Sequence, residues 1–490
     1  MDKLLPADFA VDADYFGDTS RRVFIKGLGW AGASLVLATL GGCERLSEQI
    51  RNRPVRRRLH TGSAEVDADL NTYRQAVQAM KNLPGGNPRS WLAQATIHGN
   101  TTSFLQCEHG TNHFFDWHRA YLRFFETICQ NLSGNSQFAL PYWNWNQDPA
   151  IHPAFLDSTS TLFASRNRTT MAGFTSISSG QLDIIFNDTN FFTFSGQIEG
   201  TPHNSVHSRI GGTLGQFNSP LDPLFWMHHC MVDYCWYKWN VELGRSNTSD
   251  AAWTNHSNGN FFDGAGNPAT ATAAVTVLMP LLAYRYESSA IGSHPASTTS
   301  IRTQDEFRQL ETRLRAGAPV RFTVSQRVRL AEQASLAPDR PASFRAPAST
   351  GSFAQIVESR TEPEQLFVTV EAPLPPSTDF FVRVYVNLPG ANASTPMSDP
   401  HYAGSFAFFG EPAANAGGAA PAHRHQPRFL VNVTETLRRL REAGALSANE
   451  PLSIQLVPTP YDPGTQMAAP LALNAIDLIA TPVIVATESR

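Results

Sequence analysis

Asp222-Pro223-Leu224-Phe225-Trp226-Met227-His228-His229 opens the stretch whose reading decides the fold. Residues 222–243 read as one helix, closed by Gly244. A histidine inside so apolar a run invites a search for partners. Pro202-His203-Asn204-Ser205-Val206-His207 supplies them. Residues 201–210 read as a second helix with Pro202 in its first turn. On it, His203 and His207 stand four apart, so their side chains lie one above the other. Two imidazoles on one face can converge on an ion, and the 222–243 helix can bring a third from across a bundle. Neutral imidazole suits copper, zinc, iron and nickel alike, so ligand type alone does not choose the metal. The H-E-x-x-H of zinc proteases is absent, which weakens a zinc-hydrolase reading.

Working outward, residues 70–83, 91–98 and 117–132 also have helical spacing, and Pro84-Gly85-Gly86 ends the first of them. Polar stretches such as 157–190 are expected to be long surface loops. The pattern changes after about residue 290. Residues 304–314 read as one more helix inside a linker. From about 350, short apolar runs (366–370, 380–387, 406–409, 429–433 and 454–457) alternate with Pro- and Gly-rich turns, as in a β-sandwich. Residues 413–422 read as a low-complexity loop. The expected fold is a mainly α core, a four-helix bundle with long loops, followed by a C-terminal β-sandwich. The expected boundaries are 1–43 for a leader, 44–58 for a basic lead-in, 59–290 for the helical domain, 291–349 for the linker and 350–490 for the sandwich.

A net charge of −4 gives no electrostatic footprint for nucleic acid. Five scattered cysteines, with no C-x-x-C, make no disulfide framework. Ser20-Arg21-Arg22-Val23-Phe24-Ile25-Lys26, followed by a short apolar stretch, reads as a twin-arginine export signal. Leu40-Gly41-Gly42-Cys43 resembles a lipobox, so a lipid anchor through Cys43 to a membrane is expected, and the protein is expected to be exported.

A second histidine group comprises His98, His109 and His118, the last two in Cys107-Glu108-His109-Gly110 and Phe115-Asp116-Trp117-His118-Arg119. With these flanks the resemblance becomes specific. His109-x₈-His118, ending in Trp-His-Arg, is similar to the first copper motif of the tyrosinase and polyphenol oxidase family. Asp222 to His229, with Asp233 and Trp236 after it, is similar to the second. Val55-Arg56-Arg57-Arg58 and Trp91 to His98 resemble the start of the plant enzymes' core, and Tyr284-Arg285-Tyr286 resembles the motif that closes it. The likeness continues more weakly through 350–490.

The resemblance implies a coupled dinuclear centre of two copper ions. It implies His98, His109 and His118 as ligands of one copper and His203, His207 and His229 as ligands of the other, with His228 packed beside them. His60 and His113 are the alternatives to His98. It implies a thioether between Cys107 and His109, as in fungal relatives, and a water held by Glu199 and Asn204 that takes the proton of a phenol. It implies Phe217 as a gate above the second copper. The expected substrates are phenols or catechols with O₂, and the product is a quinone. Rivals are a catechol-only or o-aminophenol oxidase and an oxygen carrier like molluscan haemocyanin. The resemblance also implies that the C-terminal domain covers the copper pocket.

Overall fold

The structure is a computed structural model. It describes residues 52–297 except 249, 324–346 except 338 and 339, 364–411, 427–446, 451–462 and 465–482 except 466 and 468. The expected export signal, Cys43, the helix at 304–314 and the loop at 413–422 lie outside these residues.

Strand β1 (Val55–Arg56) leads into α1 (Ala64–Asn82). Ser63 caps that helix by accepting the Val66 N–H, and Val66, Leu70, Tyr73, Val77 and Met80 form its buried stripe. Helix α2 (Trp91–His98) is capped in the same way by Ser90. Helix α3 (Phe114–Ser133) stops at Gly134, which takes the left-handed conformation (φ 70°). Helices α4 (Ser179–Asn187) and α5 (Phe191–Ile198) follow. Helix α4 falls at the end of the 157–190 stretch expected to be loop. Its apolar residues Leu182, Ile184, Ile185 and Phe186 and its Ser178 cap are the signal that the polar flanks obscure.

The helix expected from residue 201 starts at Asn204. Thr201 is extended (φ −164°, ψ 118°) and Pro202 follows it, so Glu199–His203 is a broken turn and α6 is Asn204–Ile210. Helix α7 (Leu224–Tyr237) is buried along its whole length and continues as one wide turn, Lys238–Glu242. A hairpin of β2 (Ser257–Phe262) and β3 (Pro268–Thr272), then α8 (Ala273–Leu282), complete the domain; the sequence reading has no element there. Strand β4 (Arg285–Tyr286) pairs in parallel with β1, bringing the two ends of the domain together.

The C-terminal unit is a sandwich of two four-stranded sheets. Strands β5 (Gln326–Leu336) and β6 (Ala342–Arg345) lie within the stretch expected to be linker. Strand β5 is an edge strand carrying Arg327, Arg329 and Glu332, so it lacks the apolar run that betrays a strand. The others are β7 (Glu364–Glu371), β8 (Phe380–Val386), β9 (Tyr402–Ala407), β10 (Arg428–Asn432), β11 (Ser453–Pro460) and β12 (Leu471–Pro482), with helix α9 (Thr434–Glu442) after β10. One sheet has the order β10-β7-β12-β5 and the other β6-β11-β8-β9. Among the described residues, no helix is long and apolar enough to cross a membrane.

A buried ionic cluster holds the helical domain together. Arg56 makes a bidentate pair with Glu126 of α3 at 2.8 Å and 2.8 Å, and reaches Asp233 of α7 at 2.8 Å. Arg119 of α3 meets the other Asp233 oxygen at 2.5 Å. The hydroxyls of Tyr284 and Tyr286 each donate to Asp233 at 2.7 Å. Burial alone would raise the Asp233 carboxyl, but Arg119 and Arg56 outweigh it and hold the group below its ordinary value.

Replacing one member should therefore cost more than the pair is worth, because it strands a buried charge. Asp233→Ala should lose about 3–5 kcal/mol in urea unfolding at neutral pH. In the parent protein the Asp233 contribution is complete above about 4, the unfolded-chain value, and is lost as the pH falls below that through the lower folded value. A variant as stable as the parent would show that the cluster does not hold the helices.

Candidate metal centre

Helices α2, α3, α6 and α7, with the segments that lead into α3 and α6, bring the histidines together. Helix α2 ends in His98, and the next residue, Gly99, lies against Phe217 so closely that a Cβ there would sit 2.3 Å from the Phe217 carbonyl oxygen. That close approach lets His98 Nδ1 donate to the same oxygen at 2.9 Å. His109 comes from the loop before α3, and His118 from the first turns of α3, where its Nδ1 donates to Phe114 O at 2.7 Å. His203 ends the broken turn and His207 lies on α6, while His228 and His229 lie on α7. His203 Nδ1 donates to Asn204 Oδ1 at 2.9 Å, and His207 Nδ1 donates to Leu214 O at 2.7 Å.

The rings form two facing triangles. In the first, centroids are 5.3 Å apart for His98–His109, 5.1 Å for His109–His118 and 5.9 Å for His98–His118. In the second they are 4.7 Å apart for His203–His207, 5.0 Å for His203–His229 and 5.3 Å for His207–His229. The triangles meet where His118 stacks on His229 at 4.6 Å and His109 meets His203 at 5.3 Å.

The donor chemistry fits metal ions. With Nδ1 committed to an acceptor, the Nε2 atoms of His98, His118 and His203 are buried without a hydrogen-bond partner. Outer partners that fix one ring nitrogen and leave the other aimed inward are what ligand imidazoles have. His207 Nε2 and His229 Nε2 lie 3.1 Å apart, where two lone pairs would repel unless a cation or proton lay between them. Burial pushes His98 and His203 down to about 3 and His118, His207 and His229 well below their usual value, so all five rings are neutral at physiological pH, the form a metal ion requires.

Each residue singled out in the sequence has a definite place. His60 is half-buried and turned to its own loop, and His113 stacks on His256 at 3.6 Å, whereas the His98 ring meets those of His109 and His118. His228 lies 4.7 Å from His207 and 5.5 Å from His203, close enough to join the second group. Cys107 is buried beside His98 and His109, its thiol pushed up by burial. Glu199 accepts the Gly110 N–H at 2.6 Å, and burial pushes its carboxyl up to about 8. It shares a cavity with Asn204, Cys107 and His109.

Phe217 lies beside the first triangle. Its ring packs edge-on against Phe104 at 4.8 Å, and its carbonyl serves His98 of the first triangle. The ring over the second triangle belongs to Phe409, which stacks on His207 at 3.7 Å and 19°. Phe409 follows β9, and Glu411 beyond it bonds to the helical domain by main chain, its N–H donating to Gly215 O and its carbonyl accepting the Phe217 N–H, both at 3.1 Å. Nothing in the sequence marks Phe409, which reads as one more apolar residue at the end of a strand.

Comparison with known proteins shows what the chain resembles. Residues 88–181 and 153–242 match the family described as the common central domain of tyrosinase, and residues 320–467 match a domain of unknown function, DUF7868. The chain is 29% identical over 284 residues to tyrosinase HcTyr1 of Hahella sp. (strain CCB-MM4), covering 45% of this chain and 61% of that one. It is 29% identical over 264 residues to the chloroplastic (+)-larreatricin hydroxylase of Larrea tridentata, covering 42% of this chain and 45% of that one. The matches thus span roughly half of these relatives' length. A solved latent aurone synthase (polyphenol oxidase) shares the fold over 89% of this chain and 91% of its own, with a TM-score of 0.62 at 21% identity.

Copper titration of substituted protein sorts the seven imidazoles. His98→Ala and His207→Ala are each expected to bind about one equivalent less than the parent, whereas His228→Ala keeps the full complement. Loss of copper from the His228 variant, with the others unaffected, would reassign the second triangle.

Proposed function

We propose, on the premise of a helical domain that matches the common central domain of tyrosinase, that this chain is a dinuclear copper oxidoreductase that hydroxylates monophenols at the ortho position and oxidises o-diphenols to o-quinones with O₂. We propose also that its β-domain keeps it closed. One observation carries both: two facing triangles of neutral imidazoles with an aromatic ring, Phe409, stacked on one of them. The names of the Hahella and Larrea relatives, a tyrosinase and a hydroxylase, support the monophenol half of the reading. The aurone synthase that shares the fold is a latent enzyme, which supports the closed half.

His98, His109 and His118 would hold one copper ion and His203, His207 and His229 the other. When bound, the pair supplies two-electron exchange with O₂. The protein does the rest. A phenol ring takes the place of Phe409 on His207 once the β-domain moves. Glu199 and Asn204 face the same cavity and hold a water that receives the phenol proton. Burial raises the Glu199 carboxyl to about 8, so it acts as a base in its ionised form, whose share grows as the pH rises towards that value. Phe104 walls the cavity, with Phe217 packed edge-on against it, and excludes bulk water. The atoms balance: phenol and O₂ give o-quinone and water, and two catechols and O₂ give two o-quinones and two waters. The Ser20 to Lys26 segment adds the proposal that the folded protein is exported.

The test is an oxygen-electrode assay on copper-loaded protein, with quinone absorbance followed in parallel. Two coppers per chain and one O₂ consumed per two molecules of 4-methylcatechol are expected. Reversible O₂ uptake with no consumption would make the protein a carrier instead. Oxidation of 4-methylcatechol without any hydroxylation of 4-methylphenol, in every state of the β-domain, would make it a catechol-only oxidase.

A further inference from the structure

Asn204 is held from two sides. Its Oδ1 accepts the proton of His203 Nδ1 at 2.9 Å, which orients a ring of the second triangle. Its Nδ2 donates to the carbonyl of Ala407, in β9, at 2.9 Å. Asn204 is 8% exposed, so water does not replace that contact from outside. Two residues further along the same strand end, Phe409 lies on His207. One short segment of the β-domain therefore contributes a ring to the place of a substrate and a carbonyl to an amide that lines the same cavity as Glu199.

The segment is well anchored on the outer side of α6. Thr201 Oγ1 donates to Ser405 O at 2.7 Å, and Ser208 Oγ lies 2.5 Å from Tyr461 Oη. Arg168 pairs with Asp379 at 3.0 Å and also with Asp462, and Arg209 pairs with Asp462 at 3.3 Å. These contacts hold Ala407 at Asn204 independently of the Phe409 ring.

We propose that the β-domain closes the site with two separable locks. The Phe409 ring excludes every phenol, while the Ala407 carbonyl takes one N–H of the Asn204 amide, holds that amide to β9 and thereby withholds hydroxylation alone. The inference rests on the proposed role of Glu199 and Asn204 in holding a proton-accepting water. The two reactions differ in what they ask of that water. A monophenol must lose its proton before its ring is electron-rich enough to take an oxygen atom from O₂ at the ortho carbon. In that reaction a C–H bond is replaced by C–O and the second oxygen leaves as water. A catechol forms no new C–O bond; it gives two electrons and two protons to O₂. Removing the ring while leaving the carbonyl in place should therefore yield an enzyme open to catechols and poor on monophenols.

The experiment uses the full chain loaded with copper, with copper content and near-ultraviolet circular dichroism checked for each variant. Turnover of 4-methylcatechol and of 4-methylphenol is compared in the parent, in Phe409→Ala, and in Phe409→Ala combined with Asp379→Asn and Asp462→Asn, which loosens the anchor. Phe409→Ala should raise catechol oxidation at least about tenfold, and the triple variant should then raise the 4-methylphenol to 4-methylcatechol kcat ratio by about tenfold, the scale of one hydrogen bond in a barrier, with KM for 4-methylphenol little changed. If Phe409→Ala alone releases both substrates in equal proportion, the carbonyl restrains nothing and the proposal fails. If the triple variant oxidises catechol and never hydroxylates, the Glu199–Asn204 reading is what fails, and the second lock goes with it.

Discussion

The Arg56–Glu126–Asp233–Arg119 cluster is the constraint on which the metal pocket depends. Arg119 is the next residue after His118, and Asp233 lies one helical turn beyond His229. Their pairing across the α3–α7 interface therefore fixes the two helices beside the rings that stack where the triangles meet. Hydrophobic contact alone would let two apolar helices slide past each other at little cost. Charge pairs with bidentate geometry in a dry interior tolerate no such sliding, because each displaced carboxylate would face desolvation without compensation. The chain closes this cluster with its own domain ends, since Arg56 comes from β1 and Tyr284 and Tyr286 come from around β4.

Much of this was legible in the sequence. The Trp-His-Arg and His-His text carried both ligand helices, and α2 was readable to the residue because Ser90 and Gly99 bracket it. What the sequence could not give was set by tertiary contact. Thr201 and Pro202 look like the first turn of a helix, yet the chain there is extended, so α6 begins at Asn204. Strand β5 is disguised by charges because it sits at an edge. Phe409 is the plainest case. Its role depends on meeting His207, some two hundred residues earlier in the chain, and no local pattern encodes that meeting.

Helix α6 shows how a very short element can serve two partners. It has seven residues, too few to be stable alone. His207 points to the metal pocket from one side, while Asn204 and Ser208, one turn apart, meet the β-domain on the other. The sandwich is thus part of the environment that shapes the helix as well as a cover over the pocket.

The Phe217 peptide carries a related double duty. Its carbonyl receives His98 and its N–H is given to Glu411. A single backbone unit thus borders the first imidazole triangle on one face and the docked strand end on the other. Substitutions in residues 215–217 and in 409–411 should therefore not vary independently in a lineage: each change on one side resets the value of changes on the other, and the two segments would be expected to drift as a unit.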